Sequence, residues 1–221
     1  MEVSRARVHA AATAVREHAA QLDCSGASCV SLCRRVNEAL DGEIAAARAG
    51  GAPVACEAGC NFCCHQRVSV LPHEAMALLT HLRTLSADQA AAIERRIAAN
   101  AGKVDAMSVG EHQRANLACA FLVDGRCAAY ESRPSVCAGF HSLSRARCEH
   151  SFNNPQDIGT PRNSRPALLE VDALADALHA ATRAASAAAG RTWEKRELHQ
   201  ALRTLLADQT AGTRWYAGGA F

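Results

Sequence analysis

Eight of the eleven cysteines fall into two groups of four, and this grouping is the strongest chemical signal in the sequence. The first group lies within nine residues, and the second group is spread over residues 119–148. The eight candidates are Cys56, Cys60, Cys63, Cys64, Cys119, Cys127, Cys137 and Cys148. Because four cysteines in a short segment without apolar periodicity have no packing role, we interpret all eight as metal ligands. Thiolates suit zinc and iron–sulfur centres alike.

The local spacing of these cysteines predicts how they are held. Two residues separate Cys60 from Cys63, so both thiols can bind one ion within a tight turn, and Gly59 permits a positive φ there. Cys63 and Cys64 are adjacent, and consecutive side chains point in different directions. We therefore expect these two residues to serve different metals, or one of them to bridge. The Asp-Gly pair at 124–125 predicts a tight turn that folds Cys119 back towards Cys127.

Arginines and histidines near the cysteines are candidates for supporting roles. Eight thiolates with two divalent ions carry a negative formal charge, which nearby guanidinium groups can offset by hydrogen bonding to sulfur. The arginines in these segments are Arg67, Arg126, Arg133, Arg145 and Arg147. Pro134 favours an extended backbone at Arg133, which would aim that guanidinium at Glu131 or at a thiolate. His65 and His141 are each a substitute ligand, a proton relay or an ordinary histidine beside the site.

Three further cysteines stand apart from the two groups, at Cys24, Cys29 and Cys33. Free cysteines are ordinary small hydrophobic residues in a core. Cys29 and Cys33 also have the four-residue spacing of half a metal site on a helix. Together with Cys63 and Cys64, the three residues would alternatively supply thiols for a redox switch.

Composition excludes several classes of protein. Leu, Ile, Val and Phe together number 41 of 221 residues, against 49 Ala, so we expect a thin hydrophobic core. The formal net charge of +2 argues against wholesale disorder and, with the acidic residues matching the arginines, against a nucleic-acid partner. No apolar run approaches a membrane span, and the first residues do not resemble a secretory signal. We therefore predict a cytoplasmic protein whose partners are metal ions, without nucleic acid or membrane.

Apolar periodicity predicts helices on both sides of the cysteine groups. Helices are expected over 2–22, 30–49, from Pro72 onwards, from Ser86 onwards, from Ala167 onwards and after Gly190. A short strand is expected over 67–71, and residues 117–166 are expected to be irregular. The predicted fold is mainly α, with helices framing an irregular, metal-cross-linked cysteine-rich core and little or no β structure. We divide the chain into an N-terminal helical segment, 1–49, a metal-binding domain, 50–150, and a linker with C-terminal helices, 151–221.

Two longer motifs carry a family resemblance. The first is Cys56–Cys64 followed by Arg67-Val-Ser-Val-Leu-Pro-His-Glu-Ala. The second is Cys119-Ala-Phe-Leu-Val-Asp-Gly-Arg-Cys127, then Tyr130-Glu-Ser-Arg-Pro-Ser-Val-Cys137 and Cys148. Over roughly residues 50–150 the chain resembles the CxxCxxCC, or YkgJ-like, family of zinc- or iron-chelating proteins. The resemblance implies metal binding by these eight cysteines, and it does not imply a known reaction.

The sequence leaves the function open between three hypotheses. The first is a metal-binding protein that holds zinc, iron or an iron–sulfur cluster. The second is an iron–sulfur enzyme such as a protein lysine methylase, because a flagellin lysine methylase resembles this family. The third is a thiol redox switch. Because neither a GxGxxG fingerprint nor a P-loop occurs, no catalytic residue is assigned, and whether the chain is an enzyme stays undecided.

Overall fold

The computed structural model describes residues 2–23, 25–157, 165–208 and 210–219. These residues are 64% helical, which confirms a mainly α fold. The helices are α1 (Glu2–Ala20), α2 (Gly26–Ala49), α3 (Pro72–Leu82), α4 (Ala87–Asp105), α5 (Val109–Arg114), α6 (Ser135–Ala138), α7 (Arg145–Asn153), α8 (Leu169–Ala188), α9 (Leu198–Ala207) and α10 (Ala211–Tyr216). One-turn 3-10 helices are present at Phe62–His65 and Tyr130–Ser132.

Serine side chains fix where several helices begin. The Ser25 hydroxyl accepts a hydrogen bond from the N–H of Ser28, so α2 starts four residues earlier than its apolar period predicts. Ser86 accepts from the N–H of Gln89, as the predicted cap of α4 requires. Pro72 occupies the first turn of α3, where its missing N–H costs no helical hydrogen bond.

Two apolar clusters hold the helices together. One cluster is formed by α1, α2 and α8, with Leu32 and Leu40 completely buried. The other is formed by α3, α4, α9 and α10, and it includes Phe121 from the irregular middle segment. The predicted stripes of α8 and α9 face these clusters, because Leu174, Leu178, Leu198 and Leu202 are buried. The hydrophobic core is therefore divided between two places.

Two small antiparallel sheets complete the fold. β1 (Ser69–Val70), within the predicted strand, pairs with β4 (Arg196–Glu197), so that Ser69 lies opposite Glu197. β2 (Leu122–Val123) pairs with β3 (Arg126–Cys127) as a hairpin. The first sheet joins the segment after the first cysteine group to the C-terminal part of the chain.

The sequence-based prediction missed α6, α7 and α10. The segment predicted to be irregular contains α6, which is only four residues long, and α7, which buries none of its own residues and therefore shows no apolar period. The C-terminal tail, which has no clear period, contains α10, and its Trp215 and Tyr216 are each only 1% exposed. A six-residue helix is too short to show a repeat.

Two expectations lie outside these findings, the division of the chain into segments and the role of Cys24. The division into segments 1–49, 50–150 and 151–221 stays a prediction. Cys24 lies outside the described residues. Among the helices that the structure describes, none combines the length and the apolar character that a membrane span requires.

Candidate metal centre

A turn and the first 3-10 helix carry the first cysteine group. Gly59 has a φ of 90°, the left-handed conformation that a glycine permits. The N–H of Cys60 donates to the carbonyl of Glu57 at 3.0 Å, and the N–H of Cys64 donates to that of Asn61 at 2.9 Å. These backbone hydrogen bonds hold the first group in a compact loop.

The β2–β3 hairpin carries two cysteines of the second group. Asp124 and Gly125 have φ values of 48° and 75°, which form the predicted tight turn. The register places Leu122 opposite Cys127, and the N–H of Leu122 donates to the carbonyl of Cys119 at 3.0 Å. The turn therefore brings Cys119 and Cys127 to the same end of the hairpin.

Cys137 lies on α6, and a buried carboxylate anchors this short helix. Oε1 of Glu74 accepts hydrogen bonds from the N–H of Ser135 at 2.8 Å and from its hydroxyl at 2.6 Å. Oε2 of the same carboxylate accepts from the N–H of Leu71 at 2.8 Å. Glu74 is only 2% exposed, so these bonds fix α6 against the start of α3.

Cys148 lies on α7, which packs against the first 3-10 helix. The rings of Phe62 and Phe152 are 5.6 Å apart, centre to centre. Arg145 forms an ion pair of 2.9 Å with Glu57 and lies over the Phe62 ring. These contacts hold the last cysteine beside the first group.

Backbone hydrogen bonds join the two cysteine groups directly. The N–H of Cys119 donates to the carbonyl of Cys64 at 2.8 Å. The N–H of Ala55 donates to the carbonyl of Ser142 at 2.9 Å. In the sequence, 54 residues lie between Cys64 and Cys119, and the fold brings the two groups together.

Three thiols form what we call the first thiol set, Cys56, Cys60 and Cys148. Burial raises the pKa of Cys56, and the charges of Cys60, Cys63 and Cys148 raise it further. Burial also raises the pKa of Cys60, to which the charges of Cys63 and Cys148 contribute. The three thiols and Cys63 are therefore electrostatic neighbours.

Three other thiols form the second thiol set, Cys119, Cys127 and Cys137. Burial, together with the charges of Cys127 and Glu197, raises the pKa of Cys119 to about 11. Burial raises the pKa of Cys137 well above its usual range, and the charges of Cys119, Cys63 and Cys127 add to the effect. Burial likewise raises the pKa of Cys127, with a contribution from Cys63.

Cys63 is an electrostatic neighbour of both sets, because its charge contributes to the raised pKa values of Cys56 and Cys60 in the first set and of Cys127 and Cys137 in the second. A hydrogen bond with the Cys64 side chain, followed by burial, raises the pKa of Cys63 far above that of a free thiol. Within the described part of the chain, no three His, Cys, Asp or Glu side chains already stand in an arrangement that fits a metal ion. The eight ligands therefore stay a prediction, and metal binding requires the neutral thiols to deprotonate and converge.

The nearby arginines have different surroundings. Arg133 is 6% exposed and pairs with Asp41 at 2.5 Å, not with Glu131. Its charge nevertheless lowers the pKa of Cys127, against the larger effect of burial. Arg145 acts on Cys60 in the same way. Arg126 is exposed, and Arg67 and Arg147 line a cavity beside the thiols.

Both candidate histidines make contacts with the polypeptide. His141 is fully buried, with Nδ1 2.9 Å from the carbonyl of Gly139, and Nε2 accepts the N–H of Leu168 at 2.7 Å. Both of its ring nitrogens are therefore engaged. Nδ1 of His65 lies 3.1 Å from the carbonyl of Asn61, and its ring packs edge-on against Phe152.

Comparison with known families identifies the segment that contains this arrangement. The model of the CxxCxxCC family, described as a "putative zinc- or iron-chelating domain", matches residues 55–158. The match includes all eight candidate cysteines and covers just under half of the chain. No curated protein and no solved structure matches the chain.

A buried network around Cys119 was missing from the sequence-based prediction. Nδ1 of His199 donates to Glu197 at 2.9 Å, and Nε2 accepts the N–H of Ala120 at 3.2 Å. Nδ2 of Asn100 lies 3.2 Å from the same Nε2 and donates to the carbonyl of Ala118 at 2.8 Å. The network thus holds the backbone on both sides of Cys119. No spacing pattern links residues 79 positions apart, as Ala120 and His199 are.

The remaining described cysteines belong to the helical core. Cys29 and Cys33 are 0% and 4% exposed and pack within the cluster of α1, α2 and α8. Burial, followed by the charges of Glu74 and Cys29, raises the pKa of Cys33 well above its usual range. This location agrees with their interpretation as small hydrophobic residues.

Proposed function

We propose that this protein binds zinc or iron through two four-cysteine sites that meet at Cys63 and Cys64. The observation that supports the proposal is the arrangement of the first and second thiol sets around Cys63. Each set contains three thiols, and a tetrahedral thiolate site needs four. Eight candidate ligands inside a zinc- or iron-chelating domain match that requirement.

The adjacent cysteines supply the fourth ligand of each site in this proposal. Cys63 completes the first set, because two residues separate it from Cys60, a spacing at which both thiols can bind one ion. Cys64 completes the second set, because its carbonyl accepts the N–H of Cys119 and residue 64 therefore lies beside that set. The divergent directions of consecutive side chains suit this division.

Positive charge beside the thiols supports a centre with excess negative charge. Arg145 lowers the pKa of Cys60, Arg133 that of Cys127 and Arg96 that of Cys119, each against a larger effect of burial. Guanidinium groups next to thiolates stabilise the deprotonated form that binds metal. We place this function in a reducing, cytoplasmic setting, where thiolate ligands are protected from oxidation. The absence of nucleic-acid and membrane partners stays a prediction.

Elemental analysis of protein purified without oxygen tests the proposal. We expect about two zinc or iron ions per chain, one for each four-thiolate site. Cys148→Ser and Cys137→Ser should each remove about one ion, from different sites, if a site fails when one of its four ligands is lost. Cys29→Ala, which removes a buried thiol outside both sets, is the matched control and should keep the full content.

The same preparation separates zinc from iron. A colourless protein with stoichiometric zinc excludes an iron–sulfur enzyme, whereas visible absorption with iron and acid-labile sulfide identifies a cluster. Less than one metal ion per chain after anaerobic handling contradicts the proposed function. Retention of full metal content by both Cys148→Ser and Cys137→Ser contradicts the proposed ligands.

A further inference from the structure

A cavity of about 360 Å³ opens beside the 3-10 helix Phe62–His65 and α7. Its wall includes Cys63, the electrostatic neighbour of both thiol sets, and Cys148 of the first set. The volume is within the range of binding sites for small molecules. A ligand in this cavity would lie next to the thiols.

The charge of the cavity wall has one sign. Three arginines line the cavity, Arg67, Arg147 and Arg165, and no carboxylate is present among the described lining residues. Arg165 donates to the carbonyl of His141 and pairs with Asp172 at 3.3 Å, so its position is fixed. Arg67 is half-buried, and within the described residues its guanidinium makes no hydrogen bond or ion pair. Burying an unpaired charge is costly, so a partner for Arg67 is expected.

The remaining wall combines aromatic rings with neutral polar side chains. Phe62 and Phe152 pack against each other at one side. The Phe140 ring lies under the Arg165 guanidinium, with 4.8 Å between the ring centre and the guanidinium carbon. Gln66 and Asn116 also line the space. Guanidinium groups bind carboxylates and phosphates through paired hydrogen bonds, and aromatic rings contact the apolar part of a ligand.

We propose that this cavity binds a small organic oxyanion, a carboxylate or phosphate ester with an apolar group. The oxyanion pairs with Arg67, while Arg147, which already has an interaction partner, adds positive charge to the wall. The apolar group contacts Phe62 and Phe152. Binding of the oxyanion depends only on the arginines of the cavity. Any role of the ligand at the metal rests on the proposed function. The site would then be a metal centre with an adjacent ligand pocket.

Titration calorimetry on the full-length protein as purified tests the inference with four probes. We expect phenyl phosphate or benzoate to bind. The probe with the higher affinity shows whether the pocket prefers a phosphate ester or a carboxylate. Inorganic phosphate should bind at least about tenfold more weakly than phenyl phosphate because it lacks the ring, and benzyl alcohol should not bind. Raising the salt concentration should weaken binding of the charged probes.

Matched arginine variants provide the control. Arg67→Gln should weaken oxyanion binding about tenfold to a hundredfold, as loss of a charge-assisted hydrogen bond predicts. Arg147→Gln should also weaken it. Arg95→Gln, an equal charge change at an exposed position on α4, should leave binding unchanged. Thermal unfolding of each variant verifies that it is folded.

Three results would overturn the inference: no binding of either phenyl phosphate or benzoate, equal binding by Arg67→Gln and the parent protein, or binding of benzyl alcohol as strong as that of phenyl phosphate. If Arg67→Gln lowers metal content while no oxyanion binds, Arg67 only offsets thiolate charge. If the protein holds no metal but Arg67→Gln still loses phenyl phosphate binding, the pocket stands and the proposed function fails.

Discussion

At the scale of single residues, Glu74 connects the helical scaffold to the cysteine cluster. Its carboxylate accepts three hydrogen bonds, two from Ser135 and one from the N–H of Leu71. Ser135 lies two residues before Cys137, so the position of that thiol depends on a buried negative charge. Local sequence distinguishes Glu74 only as an acidic residue in the first turn of α3, where it is favourable for the helix dipole.

Glu74→Gln should destabilise the fold and the second thiol set together. The amide can accept with only one atom, so at least one buried donor loses its partner, at a cost of about 1.5–3 kcal/mol. Urea unfolding measures that free energy, and elemental analysis measures the metal content. Glu131→Gln, the same change at an exposed glutamate, is the control. Equal stability of the two variants would contradict the role of Glu74.

Four histidines with lowered pKa values predict how stability depends on pH. Burial is the largest cause that lowers the pKa of His18, His73, His112 and His179 below 6.5. Below that value the unfolded chain binds more protons than the folded chain, so the free energy of unfolding falls with falling pH. The loss begins as pH falls through 6.5 and continues down to the folded-state values.

Urea unfolding of chelator-treated protein from about pH 7.5 to about pH 5.5 measures this dependence without the contribution of metal loss. His73→Gln should reduce the slope of stability against pH, and the exposed His9→Gln should not. An unchanged slope in His73→Gln would show that His73 does not contribute to acid sensitivity.

At the scale of elements, α9 stabilises the loop that carries Cys119. Truncating His199 leaves the N–H of Ala120 without an acceptor and Oε1 of Glu197 without the hydrogen bond from Nδ1, both in buried surroundings. His199→Ala should therefore cost about 1–3 kcal/mol of unfolding free energy. It should also raise hydrogen exchange at residues 118–122.

The matched control for His199 is on the same helix. Arg203 forms an exposed ion pair of 2.6 Å with Asp105, and such pairs contribute at most about 1 kcal/mol. Arg203→Ala should leave exchange at residues 118–122 unchanged. If both variants loosen that loop equally, the effect belongs to α9 as a whole and not to His199.

The elements also show what the sequence predicts well. The helices α1, α2, α8 and α9 each present a repeated apolar stripe to one of the two clusters, and periodicity found all four. The tight turn at Asp124–Gly125 has its own local signal, and it too was found. In contrast, α7 is held by an aromatic contact with the first 3-10 helix and by the ion pair of Arg145 with Glu57, neither of which local periodicity records.

In the candidate site, too, features with a local sequence signal were predicted and features held by long-range contacts were not. Residue type and local spacing predict the eight cysteines as metal ligands, and this stays a prediction that metal analysis tests. The partners that place them, Glu74, His199 and Asn100, act over distances of 18 to 79 residues in sequence. Long-range contacts of this kind leave no periodic trace in one sequence.

At the scale of the whole molecule, the two apolar clusters depend differently on the cysteines. The cluster of α1, α2 and α8 has no candidate ligand among its described members. The other cluster packs directly against Cys119 and Cys127. Metal binding contributes folding free energy where it joins distant segments, so its removal should affect the second cluster more.

Chelation should therefore loosen residues 50–150 and leave α1, α2 and α8 largely protected. Hydrogen exchange of the metal-loaded and chelator-treated protein measures the difference, with the largest increase expected over residues 117–157. The protected α1 serves as the internal reference. Unchanged exchange and unchanged proteolysis of residues 50–150 after complete metal removal would contradict this expectation.

The pairing of β1 with β4, and of Ala120 with His199, has a consequence for the newly made chain. A ribosome releases Cys119 well before it releases His199, which follows Ala120 by 79 residues. At typical synthesis rates the interval is about 4 to 16 s. During that time Cys119 lacks the His199 network that holds its loop, whereas Glu74, which anchors the helix of Cys137, is already part of the chain. The final structure of the centre is therefore completed only when translation approaches the end of this sequence.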